Sequence, residues 1–398
     1  MNLDWPLMKD TITFKDRLKM AKFVMTSSKL TNGPRVKQFE KEWDAWIGAN
    51  PMGMNHSLFV SSGSTANYLL LSAVKEFCNL QDGDKVLVPA CTWMTNVAPV
   101  IQLGLQPIFC DINLENFSFD LEDLDYIKEA HPDIKVVFVS HLLGFPGDNE
   151  IIEELFPEAY ILDDVCESHG CLNLDGEKVG SNSLGATFSF YFGHHMTTIE
   201  GGMVTTNNAS LYELMRMKRS HGLAREASPD RFEIYKNQYK DVDSKFMFVT
   251  DGYNFRNHEV CAVLGSSQLK RLDKMIAQRR RNYEYFLARM ECLNNIFHMP
   301  SDDTLTNSSF CFPMVTKHRE DAIKIKTILN CCGVESRPIV SGNLLRHPFL
   351  KGYSLTTCKQ DGRFNVDIAH NNGVYMGNSH FVNTRMIGKL FDVIEENV

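Results

Sequence analysis

From His56 onward, short apolar runs alternate with longer stretches whose hydrophobic residues recur at helical spacing. The runs at 58–61, 85–89, 107–111, 135–140, 160–163, 187–191 and 203–206 are rich in Val, Ile, Leu and Phe, the pattern of buried strands. Helical stretches between several of them predict α/β crossovers around a largely parallel sheet, with ligand sites at the carboxyl ends of the strands. Upstream, 16–25 and 35–47 read as amphipathic helices, the second with Val36, Phe39, Trp43 and Ile47 on one face. The breaker Thr31-Asn32-Gly33-Pro34 separates them. Helical periodicity returns at 211–220 and 259–281. Between these, 225–244 is charged and irregular and reads as a mobile loop near a site or a subunit contact. Past about residue 294 the texture becomes α+β: 310–315 reads as strand, 320–330 as helix, 334–337 as strand and 384–396 as helix. The expected division is a large α/β domain over 1–270, with the N-terminal segment, and a smaller α+β domain over 271–398. The boundary lies within 265–295.

Composition mainly excludes. The 398 residues are 43% hydrophobic and 23% charged, as in ordinary globular proteins. A net charge of -8 argues against a nucleic-acid surface, so any phosphate recognition is local. The 11 cysteines are odd in number and scattered, with no Cys-x-x-Cys pair or zinc spacing, which suits a reducing cytoplasm. Residues 1–10 lack an apolar signal core and no run reaches the length of a membrane span. The expectation is a cytoplasmic protein with no nucleic-acid or membrane partner.

The most informative stretch is Ser189-Phe190-Tyr191-Phe192-Gly193-His194-His195-Met196, followed by Glu200-Gly201-Gly202-Met203. An aromatic strand leads to two imidazoles, and Gly-Gly then lets the backbone turn or pass close to another group. If the segment is extended, its two histidines face opposite ways and only one meets a given pocket. A hairpin that happens to carry histidines is the plain alternative. Upstream, Ser61-Ser62-Gly63-Ser64-Thr65-Ala66-Asn67 joins a strand to a helix, where exposed amides and the helix dipole bind phosphate. An ordinary N-cap reads the same way. Trp93, at the end of the next strand, is placed either to stack on a planar heteroaromatic ring or to pack at a core rim. Asp163-Asp164-Val165-Cys166-Glu167 ends another strand, where a buried carboxylate needs a cation such as a protonated pyridine, or a metal; a solvated acidic loop needs neither. Gly252-Tyr253-Asn254-Phe255-Arg256 fits a turn with a hydrogen-bonding asparagine.

Taken in order along one α/β domain, these segments resemble the fold type I pyridoxal-phosphate enzymes, specifically the sugar-nucleotide aminotransferase family. The resemblance runs from Asn32-Gly33-Pro34 to the last helix and implies a mixed, mostly parallel sheet flanked by helices. It also implies that Gly63, Ser64 and Ser189 hold the cofactor phosphate, Trp93 stacks on the pyridine, Asp164 meets its nitrogen and Glu167 reaches the ring hydroxyl. Asn254 is then expected at the phosphate of a neighbouring subunit, making a homodimer with shared sites.

One position departs from the family pattern. The aminotransferases carry their Schiff-base lysine six residues before the glutamate of Glu200-Gly201-Gly202, and here that residue is His194. The resemblance is then to the branch of 3-dehydratases acting on 4-keto-6-deoxy sugar nucleotides. One kind, specific for CDP-sugars, uses pyridoxamine phosphate with an iron–sulfur cluster held partly by a Cys-x-Cys pair, which this sequence lacks. The metal-free kind, which serves the colitose pathway and acts on GDP-4-keto-6-deoxy-D-mannose, matches at Phe59–Asn67, His194-His195, Gly252-Tyr253-Asn254 and Ser336-Arg337-Pro338-Ile339-Val340 with Gly342-Asn343. That resemblance implies conversion of pyridoxal phosphate to its pyridoxamine form by L-glutamate, His194 as the base, loss of the C3 hydroxyl and release of ammonia. No metal is implied. Arg225, Arg256 and Arg337 are the candidates for the diphosphate, and His195 is a candidate to support His194 from behind. An aminotransferase or pyridoxamine-dependent dehydratase on another nucleotide sugar, or a non-catalytic binder of a sugar nucleotide, are the other expectations.

Overall fold

The computed structural model describes residues 2–48 and 56–398. Seven strands form the central sheet: β1 (His56–Val60), β2 (Lys85–Pro89), β3 (Gln106–Cys110), β4 (Ile134–Ser140), β5 (Tyr160–Asp164), β6 (Gly185–Ser189) and β7 (Gly202–Thr206). Their order is β1-β7-β6-β5-β4-β2-β3. β2 to β6 pair in parallel, while β7 runs antiparallel to both β1 and β6. Almost every residue of these strands is buried, so the apolar runs needed no alternation to announce them.

The helices before and around the sheet are α1 (Phe14–Thr26), α2 (Pro34–Ile47), α3 (Gly63–Phe77), α4 (Met94–Gln102), α5 (Leu121–Ala130), α6 (Asn149–Leu155), α7 (Ala209–Arg219) and α8 (Pro229–Gln238). The 33-residue α9 (Glu259–Glu291) then leads to a four-stranded sheet of β8 (Phe297–His298), β9 (Cys311–Thr316), β10 (Ser336–Arg337) and β11 (Gly373–Gly377), in the order β10-β11-β9-β8. That sheet is antiparallel and carries α10 (Arg319–Cys331), α11 (Asn365–Asn372) and α12 (Thr384–Asn397).

Four expectations change. Strand β6 stops at Ser189 rather than 191, so the two histidines sit in turns and do not alternate along an extended segment. The stretch 225–244 is not a bare loop: it contains α8, which buries none of its residues and so carries no apolar stripe to read. The strand expected at 334–337 is reduced to Ser336–Arg337. α9 runs past 281 to Glu291 without interruption, and residue 270 lies inside it. The N-terminal segment packs on the C-terminal layer: Trp5 donates from Nε1 to the Gly377 carbonyl at 2.8 Å and shares a core with Phe312, Val366 and Met376.

One buried charge ties the two long helices together. The N-terminus of α2 has no side-chain cap of its own. Glu259, at the first turn of α9, accepts instead from the backbone amides of Gly33 at 2.7 Å, Val36 at 2.9 Å and Arg35 at 3.0 Å. Three amide donors and the positive end of α2 compensate a carboxylate that is 1% exposed. Glu259→Gln is expected to cost about 1–3 kcal/mol, because the amide presents one acceptor oxygen where two now work. Chemical denaturation should show this as a lower midpoint with unchanged slope.

Candidate active site

A cleft of about 360 Å³ opens where the carboxyl ends of β1, β2, β4, β5 and β6 face the small sheet. At one end lies the first turn of α3. Ser62 caps this helix, accepting from the Thr65 amide at 3.1 Å, while the Thr65 hydroxyl accepts in return from the Ser62 amide at 3.0 Å. The cap is present and does not occupy the whole turn: it engages Thr65, and Gly63 and Ser64 still line the cleft. Residue 63 has to be glycine, since a Cβ there would come within 2.7 Å of the Ser189 Cβ and 3.0 Å of the Cys166 sulfur. Trp93 stands at the lip, 56% exposed, at the N-cap of α4.

The floor is the carboxyl end of β5. Its last two residues face opposite ways, as strand geometry requires. Asp163 turns away from the cleft and takes Asn149 Nδ2 at 2.9 Å and His141 Nε2 at 3.1 Å. Asp164 lines the cleft; its Oδ2 accepts from Asn67 Nδ2 at 2.7 Å and its Oδ1 from the Cys166 amide at 3.1 Å. Asn67 is itself held by Thr187, whose hydroxyl donates to its Oδ1 at 2.5 Å. Beyond, Glu167 accepts from the Leu143 amide at 3.0 Å, and burial pushes its carboxyl up to about 7. The floor thus presents the Asp164 carboxyl group, with the first turn of α3 at one end of the cleft.

His194 enters from the β6–β7 connection, its amide bonded to the Tyr191 carbonyl at 3.0 Å. Of the two histidines it alone lines the cleft. His195 is fully buried behind it, with Nε2 3.1 Å from the Ser308 carbonyl. Burial, together with the positive charge of Arg279, pulls the His194 pKa down to about 4. Its Nδ1 is buried without a hydrogen-bond partner. The ring is therefore a neutral imidazole at pH 7, able to accept a proton.

The model of the DegT/DnrJ/EryC1/StrS aminotransferase family matches residues 12–363. The chain belongs to this family. It is 32% identical over 386 residues to the GDP-4-keto-6-deoxy-D-mannose 3-dehydratase of Escherichia coli O55:H7, covering 95% of this chain and 94% of that one. The crystal form of the E. coli GDP-4-keto-6-deoxy-D-mannose 3-dehydratase with bound hydrated PLP superposes with a TM-score of 0.85 at 28% identity, covering 99% of this chain and 100% of that one. A GDP-4-keto-6-deoxymannose 3-dehydratase with a trapped PLP-glutamate geminal diamine gives a TM-score of 0.84 at 29% identity, covering 98% and 100%.

Within this DegT/DnrJ/EryC1/StrS chain, the cleft gathers Gly63, Ser64, Trp93, Asp164, Glu167, Ser189, His194 and Arg337. Asn254, Arg225 and Arg256 lie outside it. Arg256 is half-buried and donates from Nε to Asn254 Oδ1 at 2.9 Å, and Arg225 donates to the Lys245 carbonyl at 3.1 Å. Asn67, His141 and Phe310 are among the lining or supporting residues that the sequence reading did not single out. Asn67 lies one helical turn after Gly63 among buried apolar neighbours, a signal that was available. His141 and Phe310 are brought in from the β4 loop and the small sheet, which nothing local announces. Among the described residues one acidic cluster, Asp111, Asp120 and Asp123, lies apart from the cleft, and Lys359 bonds Asp111 at 2.9 Å and Asp120 at 2.7 Å.

In the cofactor-free protein the His194 imidazole should titrate near pH 4, followed by its ring proton resonances. A group with a depressed pKa stays neutral as pH falls until that pKa is reached. A midpoint at the ordinary 6.5 would show that desolvation does not act on this ring.

Proposed function

We propose that this chain is a pyridoxal-phosphate-dependent lyase that removes the C3 hydroxyl of GDP-4-keto-6-deoxy-D-mannose, with L-glutamate as amino donor. The observation that carries this reading is a neutral His194, in place of a lysine, at the mouth of a cleft that otherwise fits the cofactor. The fit rests on the Gly63 cradle, which a Cβ would fill, and on the aligned carboxylate of Asp164. In this reading Gly63, Ser64 and Ser189 take the phosphate, Trp93 covers the ring, Asp164 keeps the pyridine nitrogen protonated and Glu167 meets the ring hydroxyl. The bound cofactor supplies a transferable amino group and an electron sink.

The chain's residues then do the following. Asp164, fixed by Asn67 and Thr187, stabilises positive charge on the ring nitrogen. His194 removes a proton from the cofactor's C4′ carbon and returns one to the departing C3 oxygen. Arg337, from the small sheet, lines the cleft where it meets an anionic group of the substrate. The atoms balance: glutamate and the keto-sugar become 2-oxoglutarate, ammonia and the 3-deoxy keto-sugar, glutamate losing the two electrons that the sugar gains. Supporting the substrate assignment is the similarity to GDP-4-keto-6-deoxy-D-mannose 3-dehydratases along the whole chain. Deoxysugar biosynthesis of the colitose and O-antigen type, in the cytoplasm, is the setting this activity implies.

Borohydride reduction of the loaded protein should leave no cofactor attached to residue 194, and with glutamate and the GDP-sugar, ammonia should appear in step with the 3-deoxy product. His194→Asn should retain cofactor but lose about 10²–10⁴-fold in rate. An amino sugar as main product, or faster turnover of CDP- or dTDP-linked sugars, would refute the assignment.

We also infer a homodimer. The segment carrying Asn254 and Arg256 bonds back to Ser61, beside the proposed phosphate cradle, and leaves Asn254 exposed. Nearby Phe246 and Phe248 are 64% and 60% exposed, apolar surface suited to a partner. Asn254→Ala should loosen cofactor retention, measured by dialysis, without lowering the melting temperature. A fully active monomer in sedimentation would rule the shared site out.

A further inference from the structure

A histidine that moves protons is commonly held in orientation by a carboxylate or carbonyl at its far nitrogen. His194 has no such group on Nδ1, which is buried and unpartnered; the ring makes a hydrogen bond to the Cys166 backbone and is otherwise held between flat surfaces. Phe310 stacks on it with centroids 5.5 Å apart and planes 26° apart. His169 and Tyr191 meet it edge-on, each at 6.2 Å, with planes 63° and 78° away.

Phe310 is fixed by three separate elements. Its amide donates to the Leu143 carbonyl, in the loop after β4, at 3.0 Å. Its carbonyl accepts from Arg279 Nη1, on α9, at 2.9 Å. The residue before it, Ser309, has φ +41°, in the left-handed region, and is held by Asn378 Nδ2 at 2.9 Å to its hydroxyl and 3.2 Å to its carbonyl. Gly144 makes room for this crossing, since a Cβ there would lie 2.3 Å from the Phe310 amide nitrogen. Arg279 is 5% exposed and has no ion-pair carboxylate among the described residues, a costly burial for a side chain that only spans a gap. A non-glycine residue in the left-handed region, next to a buried guanidinium, is more constraint than filling a hole with a phenyl ring requires.

We propose that Phe310, tethered by Arg279, is the positioning residue of His194: its ring sets the plane in which the imidazole meets the reacting carbon. This rests on the reading of His194 as the base, but the stack itself can be tested without that chemistry. Proton transfer demands alignment, and a displacement of about 1 Å costs about 10²-fold.

Phe310→Leu keeps an apolar side chain but removes the flat face, whereas Phe310→Tyr keeps the face. Both variants should fold, checked by circular dichroism and melting temperature. In the holoenzyme, Phe310→Leu should lower kcat for ammonia release by about 10²-fold with KM for glutamate unchanged, and Phe310→Tyr should restore it. In the cofactor-free full chain, diethyl pyrocarbonate should modify His194 several-fold faster in Phe310→Leu than in wild type or Phe310→Tyr, read by peptide mass spectrometry. Equal modification rates in wild type and Phe310→Leu, or a Tyr variant as impaired as the Leu variant, would overturn the proposal. If the modification pattern holds while no ammonia is released by wild type, the positioning stands and the dehydratase reading falls.

Discussion

The site depends on satisfying two buried carboxyl groups at the end of a parallel strand. Two consecutive aspartates end β5, and both are nearly inaccessible. Isolated, either charge would be too costly to bury. The strand's alternation gives each its own donors: His141 and Asn149 on one side, Asn67 and the Cys166 amide on the other. Helix α3, the loop after β4 and β6 must therefore all be in place before the pair is satisfied. The same elements carry the Gly63 turn and Ser189, so the first turn of α3 and the floor of the cleft are built by one set of contacts.

Above this floor the environment works against positive charge on the protein. His169, His194 and His195 are all held below the ordinary imidazole pKa, mainly by burial, with the Arg279 guanidinium adding repulsion. Arg279 itself is pulled down to about 10 by the same desolvation. Asp164 is held by the Asn67 side chain and the Cys166 amide, and the His194 ring lies against Phe310, His169 and Tyr191.

The small sheet completes what the large one begins. Arg337 on β10, Tyr375 on β11 and Phe310 just before β9 all reach the cleft, and Met8 reaches it from the N-terminal segment. Gly193 has no side chain because Met8 occupies that space: its sulfur would lie 2.2 Å from a Cβ there. The approach to His194 is thus set by the two ends of the chain meeting over one loop.

The sequence determined the central sheet, since strands buried on both faces must be continuous apolar runs. It also named Gly63, Trp93 and Asp164 at the strand ends as candidates, each with an ordinary structural alternative, and the fold brings all three to one cleft. It could not show α8, whose residues are all solvent-facing, nor the turn that replaces an extended segment at His194. Which of Asp163 and Asp164 lines the cleft was decided by the register of β5 against β4 and β6. That only one histidine meets the cleft was decided by a turn. That its ring lies against Phe310 was decided by residues more than a hundred positions away, and no local pattern encodes a contact between two sheets.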